Sequence, residues 1–186
     1  YEHLIYDNLT HVSPAALSSD LYQNTITVNG VSKAFSMTGW RIGYAAGPQE
    51  LIAKAELLLD HSTSNPCSIS QYAALAALTK ESDFIQTMII DFQSSRDLIM
   101  QELSSIKKLS PVKPAGAFYV FCNISKTGLP AMEFAEKLLE KKYVAVIPGE
   151  GFGFPTHIRL SFADSREHII EGIKRIKEFV KEIIAA

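Results

Sequence analysis

The chain is poor in the features that staple, anchor or strongly charge a protein. Its two cysteines, Cys67 and Cys122, are too few for a disulfide framework. They fit a reducing compartment, and a cytoplasmic location is expected. No apolar run approaches the roughly 18 residues that suggest a membrane span, so no membrane partner is expected. The opening YEHLIYDN has neither the basic flank nor the apolar stretch of a secretory leader. Acidic and basic residues nearly balance, 20 against 18, and Lys and Arg are spread along the chain. That leaves no cationic block for nucleic acid. The histidines His3, His11, His61, His157 and His168 lack metal-ligand spacing, so no metal is expected. No internal repeat or low-complexity segment is visible.

What is present is a hydrophobic fraction of 47% in 186 residues, enough to bury a core in one domain or two small ones. Thr25 to Val28 reads as a short buried strand turned by Asn29-Gly30, and Arg41 to Ala46 as the next strand. Residues 49–62 read as a helix with Leu51, Ile52, Ala55, Leu58 and Leu59 on one face. Ser68 and Gln71 form a possible capping box before an Ala-rich helix. A long helix is expected over 83–106, capped by Ser82. Strands are expected at Ala117–Cys122, Tyr143–Ile147 and His157–Phe162, and helices at 131–141 and 165–184. This order implies a small α/β layer after the long helix.

The most informative stretch is SKAFSMTGWRIGYAAGP, residues 32–48. Lys33 stands among small, apolar and aromatic residues with no acidic neighbour in the run. Burial there would disfavour the ammonium and leave a neutral amine. Such an amine attacks an aldehyde, which is how proteins hold pyridoxal phosphate. Arg41 follows, and its planar fork suits a phosphate. Read as residue types alone, a lone lysine such as Lys33 is more often a solvated surface charge, and Arg41 can be a salt-bridge partner.

The whole run resembles the cofactor-attachment region of class I aminotransferases of fold type I. It is most similar to the branch containing bacterial aspartate aminotransferases. YEHLIYD, STSNP, PAGAFYVF, VAVIPGEGFG and HIRLSFA match in family order along nearly the whole chain. The resemblance implies an α/β fold with two parts. Residues 1–88 would be a remnant of the large cofactor-binding domain, and 89–186 the small C-terminal α/β domain, joined by the long helix. It also implies that the aspartate holding the pyridine nitrogen lies upstream of Tyr1, so the chain is expected to be the C-terminal part of a longer enzyme, inactive alone. The implied activity is pyridoxal-phosphate-dependent transfer of an amino group between an amino acid and a 2-oxo acid, by a homodimer. A β-lyase on the same fold and a non-catalytic aminotransferase-like domain are the alternatives.

The resemblance also assigns roles. Lys33 would anchor the cofactor and act as the acid–base. Arg41 would grip the phosphate. Many relatives carry a serine where Gly30 stands, so Ser32 is a substitute hydroxyl. Tyr1 would bond the cofactor's 3′-oxygen, with Tyr6 the neighbouring alternative. Arg159 would bind the substrate α-carboxylate, against a structural pairing with Asp164. Asn65-Pro66 falls where relatives contribute to the dimer interface, and is also an ordinary turn. Phe118, Tyr119, Phe152 and Phe154 read as core or domain-interface aromatics. Gly149 to Gly153 reads as a segment that closes over substrate.

Overall fold

A computed structural model describes residues 1–80 and 83–185; Ser82, the expected helix cap, lies outside the described residues. The chain divides into two compact units, Tyr1–Thr87 and Met88–Ala186.

The first unit contains α1 (Ser19–Gln23), β1 (Thr27–Gly30), β2 (Gly43–Ala46), α2 (Gln49–Asp60) and α3 (Ser68–Thr79). β1 and β2 pair antiparallel, from Thr27↔Ala46 to Gly30↔Gly43. The expected turn at Asn29-Gly30 does not form. Both residues continue the strand, because pairing with Tyr44 and Gly43 outweighs the local turn preference. The close approach needs a small residue. A Cβ on Gly43 would lie 2.9 Å from the Asn29 carbonyl oxygen. β1 begins at Thr27 rather than Thr25 and is not the buried strand expected, since in a two-stranded ribbon Val28 stays 77% exposed; β2 begins at Gly43 rather than Arg41. Leu4, Tyr6, Val31 and Ala34 are buried.

α2 occupies the expected residues, yet none of them is buried. Leu51, Leu58 and Leu59, the expected inner face, are exposed. In α3 the expected capping box is absent. Cys67 takes the cap position without a side-chain bond, and Gln71 Nε2 instead donates to the Pro66 carbonyl at 2.8 Å.

α4 (Phe84–Ser104) leads into the second unit, which holds β3 (Ser110–Val112), β4 (Tyr119–Asn123), α5 (Ala131–Lys142), β5 (Ile147–Pro148), β6 (His157–Ser161) and α6 (Arg166–Ala185). Its sheet runs β3-β4-β6-β5 with every pair antiparallel. β3 falls where the sequence predicts no strand, and it contains Pro111. An edge strand tolerates it. The expected strands at Ala117 and Tyr143 start later, since both residues adopt left-handed backbone, each with φ 57°. Tyr143 instead ends α5, its N–H donating to the Leu139 carbonyl.

Strand alternation sorts the sheet's faces. Val120, Cys122, Ile158 and Leu160 are buried on one face. The Cys122 thiol is pushed up to about 12 by that burial. α6 contributes Ile169, Ile173, Ile176 and Val180 to the same core, as its apolar stripe predicts, while Ile170 is exposed. The Phe134 and Phe179 rings meet edge to face at 5.1 Å. Arg96, buried on α4, is offset by Asp97 at 2.8 Å.

β5 runs straight into a 3-10 turn, Gly149–Phe152. Glu150 anchors this turn by accepting the backbone N–H of Met132 at the start of α5, 3.1 Å away. Phe154 N–H donates to the Gly149 carbonyl at 2.9 Å. Gly149 has no room for a side chain: a Cβ would lie 2.2 Å from the Phe154 oxygen and 2.5 Å from the His157 oxygen. Gly151 has open space around it. The segment expected to close over substrate is thus tied to β6 and α5.

Two stability predictions follow from this packing. Phe134→Ala should cost about 3–5 kcal/mol by urea denaturation, because it empties a fully buried site. Gly149→Ala should cost about 1–3 kcal/mol from overpacking, against a near-neutral Gly151→Ala. Equal effects of the two glycine variants would contradict the packing.

Candidate active site

The register of the β1–β2 ribbon places the key residues of the first unit. Gly30 and Gly43 are the last pair, so residues 31–42 form the connection at one end. Lys33 stands three positions past Gly30 and Arg41 two before Gly43. Both cations therefore sit at the same end of one ribbon. Between them the chain coils tightly: Phe35 N–H donates to the Val31 carbonyl at 3.2 Å and Ser36 N–H to the Lys33 carbonyl at 3.3 Å. Val31 and Ala34 are buried beside Lys33, which leaves the lysine half-buried on the turn. Ser36 and Arg41 adopt left-handed backbone, φ 53° and 49°. Arg41 is exposed and donates from Nη1 to the Thr38 carbonyl at 3.0 Å.

An open groove of about 460 Å³ lies along this end of the unit. Its lining brings together Tyr1, Ser32 and Lys33, three of the residues singled out in the sequence, with Gly30 beside them. Arg41 is not part of that lining, and Tyr6 is buried in the core. The volume falls in the range of small-molecule sites, roughly 300–1,000 Å³. A Cβ on Gly30 would make only ordinary contacts, the nearest at 3.4 Å to the Ile42 oxygen. Space therefore does not explain why glycine stands there.

One groove residue escaped the sequence reading. Glu2 lines the groove and accepts from Asn29 Nδ2 at 2.7 Å. His3 Nε2 lies 3.5 Å from the same carboxylate. The signal was available in its position next to Tyr1, but the run around Lys33 contains no acid. Tyr44, opposite Asn29, is pushed above its ordinary value by burial first and by the Glu2 charge second. An amine, two hydroxyls and a guanidinium at one ribbon end suit a small anionic aldehyde: the amine for the carbonyl carbon, the others for its oxygens and its charge.

Arg159 belongs to the second unit. It sits on the outer face of β6, half-buried, opposite Phe121 of β4 and Ile147 of β5. Its guanidinium carbon lies 4.3 Å from the Tyr119 ring centre and 5.1 Å from that of Phe152. Among the described residues it has no acidic partner. The alternative pairing with Asp164 is not made. That carboxylate meets His168 Nδ1 at 2.9 Å instead, and this hydrogen bond foremost holds it below its ordinary value. Tyr119 and Phe152, read from the sequence as core or domain-interface aromatics, both turn a ring to the arginine. Phe118 does pack with a neighbouring ring, Phe92, at 5.5 Å. Asn65 is exposed and its side chain donates to the Pro66 carbonyl, an ordinary turn contact.

The aminotransferase class I and II family profile matches residues 1–176. An aspartate aminotransferase of Bacillus sp. (strain YM-2) is 47% identical, over 97% of this chain and 47% of its own length. Among solved structures, the Rhizobium meliloti aspartate aminotransferase superposes with a TM-score of 0.93 at 40% identity, covering 97% of this chain and 48% of that one. The Thermus thermophilus aspartate aminotransferase with maleate gives 0.89 at 40% identity, covering 96% and 46%. The chain thus spans about half the length of the relatives it matches. Its α/β units are those of aspartate aminotransferases, and the chain belongs to the class I and II aminotransferase family.

Proposed function

We propose that this chain, completed to the family's length, transfers an amino group between an amino acid and a 2-oxo acid with pyridoxal phosphate, as an aspartate aminotransferase does. The observation that carries the reading is the shared ribbon end of Lys33 and Arg41, beside a groove lined by Tyr1 and Ser32. When bound, the cofactor supplies an electron sink for charge developing at the substrate Cα and stores the amino group between half-reactions.

In this reading each residue has one task. The Lys33 amine would hold the cofactor's aldehyde carbon and, once displaced from it by the substrate amine, would take and return the proton at the substrate Cα. Arg41 neutralises the phosphate through a two-pronged, charge-assisted pair. Ser32 offers the phosphate a hydroxyl, and Tyr1 offers one to the ring oxygen. Arg159 holds the α-carboxylate. A dicarboxylate, maleate, accompanies the solved Thermus thermophilus relative, which supports a carboxylate-binding arginine here. The exposed apolar side chains Leu51, Leu58, Ile69 and Tyr72 support assembly with further polypeptide, and a homodimer of the completed protein is the proposed form. Both cysteines are thiols rather than a disulfide, which suits the cytoplasm.

The test joins this chain to the segment of the Bacillus relative that it does not match. The joined protein should turn over aspartate with 2-oxoglutarate, and the 186-residue chain alone should not. Lys33→Ala should abolish turnover. Arg159→Lys should mainly raise KM, because a point charge replaces a planar fork. Full activity in Lys33→Ala, or β-elimination from cystathionine in place of amino transfer, would refute the proposal.

A further inference from the structure

Arg159 raises a question that its proposed role does not answer. A half-buried guanidinium needs something to hold it. A neighbouring carboxylate would do so, but it would also occupy the fork and cancel the charge. Among the described residues no carboxylate does this. Two aromatic rings stand in that place instead. Tyr119 comes from β4, where the register sets it opposite Ser161, one diagonal step from Arg159 on the same face. Phe152 comes from the turn that follows β5, on the other flank of β6. The ring centres lie 4.3 Å and 5.1 Å from the guanidinium carbon.

An aromatic face attracts a guanidinium through its quadrupole without accepting the N–H hydrogen bonds that a carboxylate takes. The rings can therefore fix the plane of Arg159 and leave its donors for an incoming anion. The fold holds the Phe152 ring deliberately. The ring is 45% exposed, so core burial does not account for its placement. Its turn is tied by Glu150 to the start of α5, and pressed to β6 at Gly149, where no side chain fits. The Phe152 ring also packs edge to face on Phe121, 5.9 Å between centres, and so stands on Arg159's direct cross-strand neighbour.

We propose that Tyr119 and Phe152 are positioning residues that set the orientation of the Arg159 guanidinium for a carboxylate ligand. The carboxylate part of this inference rests on the proposed function above; the ring part rests on geometry alone.

The experiment follows the Arg159 Nε–Hε signal by NMR in the 186-residue chain, assigned by its loss in Arg159→Lys. In the parent chain the signal should be displaced upfield by the two rings. Phe152→Leu should return it part of the way to the position of an exposed arginine, since the nearer Tyr119 ring remains. Tyr119→Phe keeps the ring and should keep the displacement, whereas Tyr119→Leu should lose it. Phe152 is exposed enough that its replacement leaves the core intact, and far-ultraviolet circular dichroism checks this. Titration with maleate should then move the parent signal, with affinity roughly threefold to tenfold weaker in Phe152→Leu. An Arg159 signal indifferent to both ring removals overturns the inference. So does equal maleate affinity in parent and Phe152→Leu. A parent signal displaced by the rings but unmoved by maleate would instead refute the carboxylate role and uphold the ring placement.

Discussion

Two positive groups held at one end of a two-stranded ribbon are the constraint on which the account depends. Like charges brought together repel, and more strongly as water is excluded, unless an anion offsets them. The pairing of Gly30 with Gly43 returns the chain so that Lys33 and Arg41 both fall in the connection at this end. Glycine at Gly43 permits strands that close, since a side chain there would strike the Asn29 carbonyl. Glu2 is the acid in the neighbouring groove, and it already accepts from Asn29 and faces His3. A phosphate is the kind of ligand that such a ribbon end favours.

The second unit solves the complementary problem of presenting a charge without spending it. The outer face of its sheet carries rings from β4 and from the turn after β5 against one arginine. The inner face is packed with aliphatic side chains and phenylalanines from α5 and α6. Rigid backing of this kind lets a surface residue keep a defined orientation. The glycine at Gly149 belongs to that scheme, as its turn could not otherwise lie against β6.

How much of this could be read in advance depended on whether the signal was local. The helices α2, α5 and α6 follow from apolar spacing, and their observed bounds stay close to the expected ones. Lys33 and Ser32 are nameable because the run around them is long and distinctive, Tyr1 because YEHLIYD matches the family, and one groove collects the three. The failures share a cause. Asn29-Gly30 carries a strong turn signal, but pairing with β2 overrides it. β3 contains a proline and exists because an edge can tolerate one. Tyr143 looks like a strand former and instead caps a helix in left-handed backbone. Glu2 and the Tyr119–Arg159–Phe152 cluster depend on contacts across 27 residues or across strands, which no window along the chain contains. The exposed leucines of α2 had a helical face that was legible and a covering surface that was not.

The central claim is that the Lys33 amine, and no other in the chain, is built to take the cofactor's aldehyde. Borohydride reduction of the chain with stoichiometric pyridoxal phosphate, followed by digestion and mass spectrometry, asks this directly. The account predicts a pyridoxyl group concentrated on the peptide containing Lys33 and lost from it when Arg41 is replaced by Ala. Label spread evenly over the exposed lysines of α5 and α6, with Lys33 no richer than they are, would contradict it.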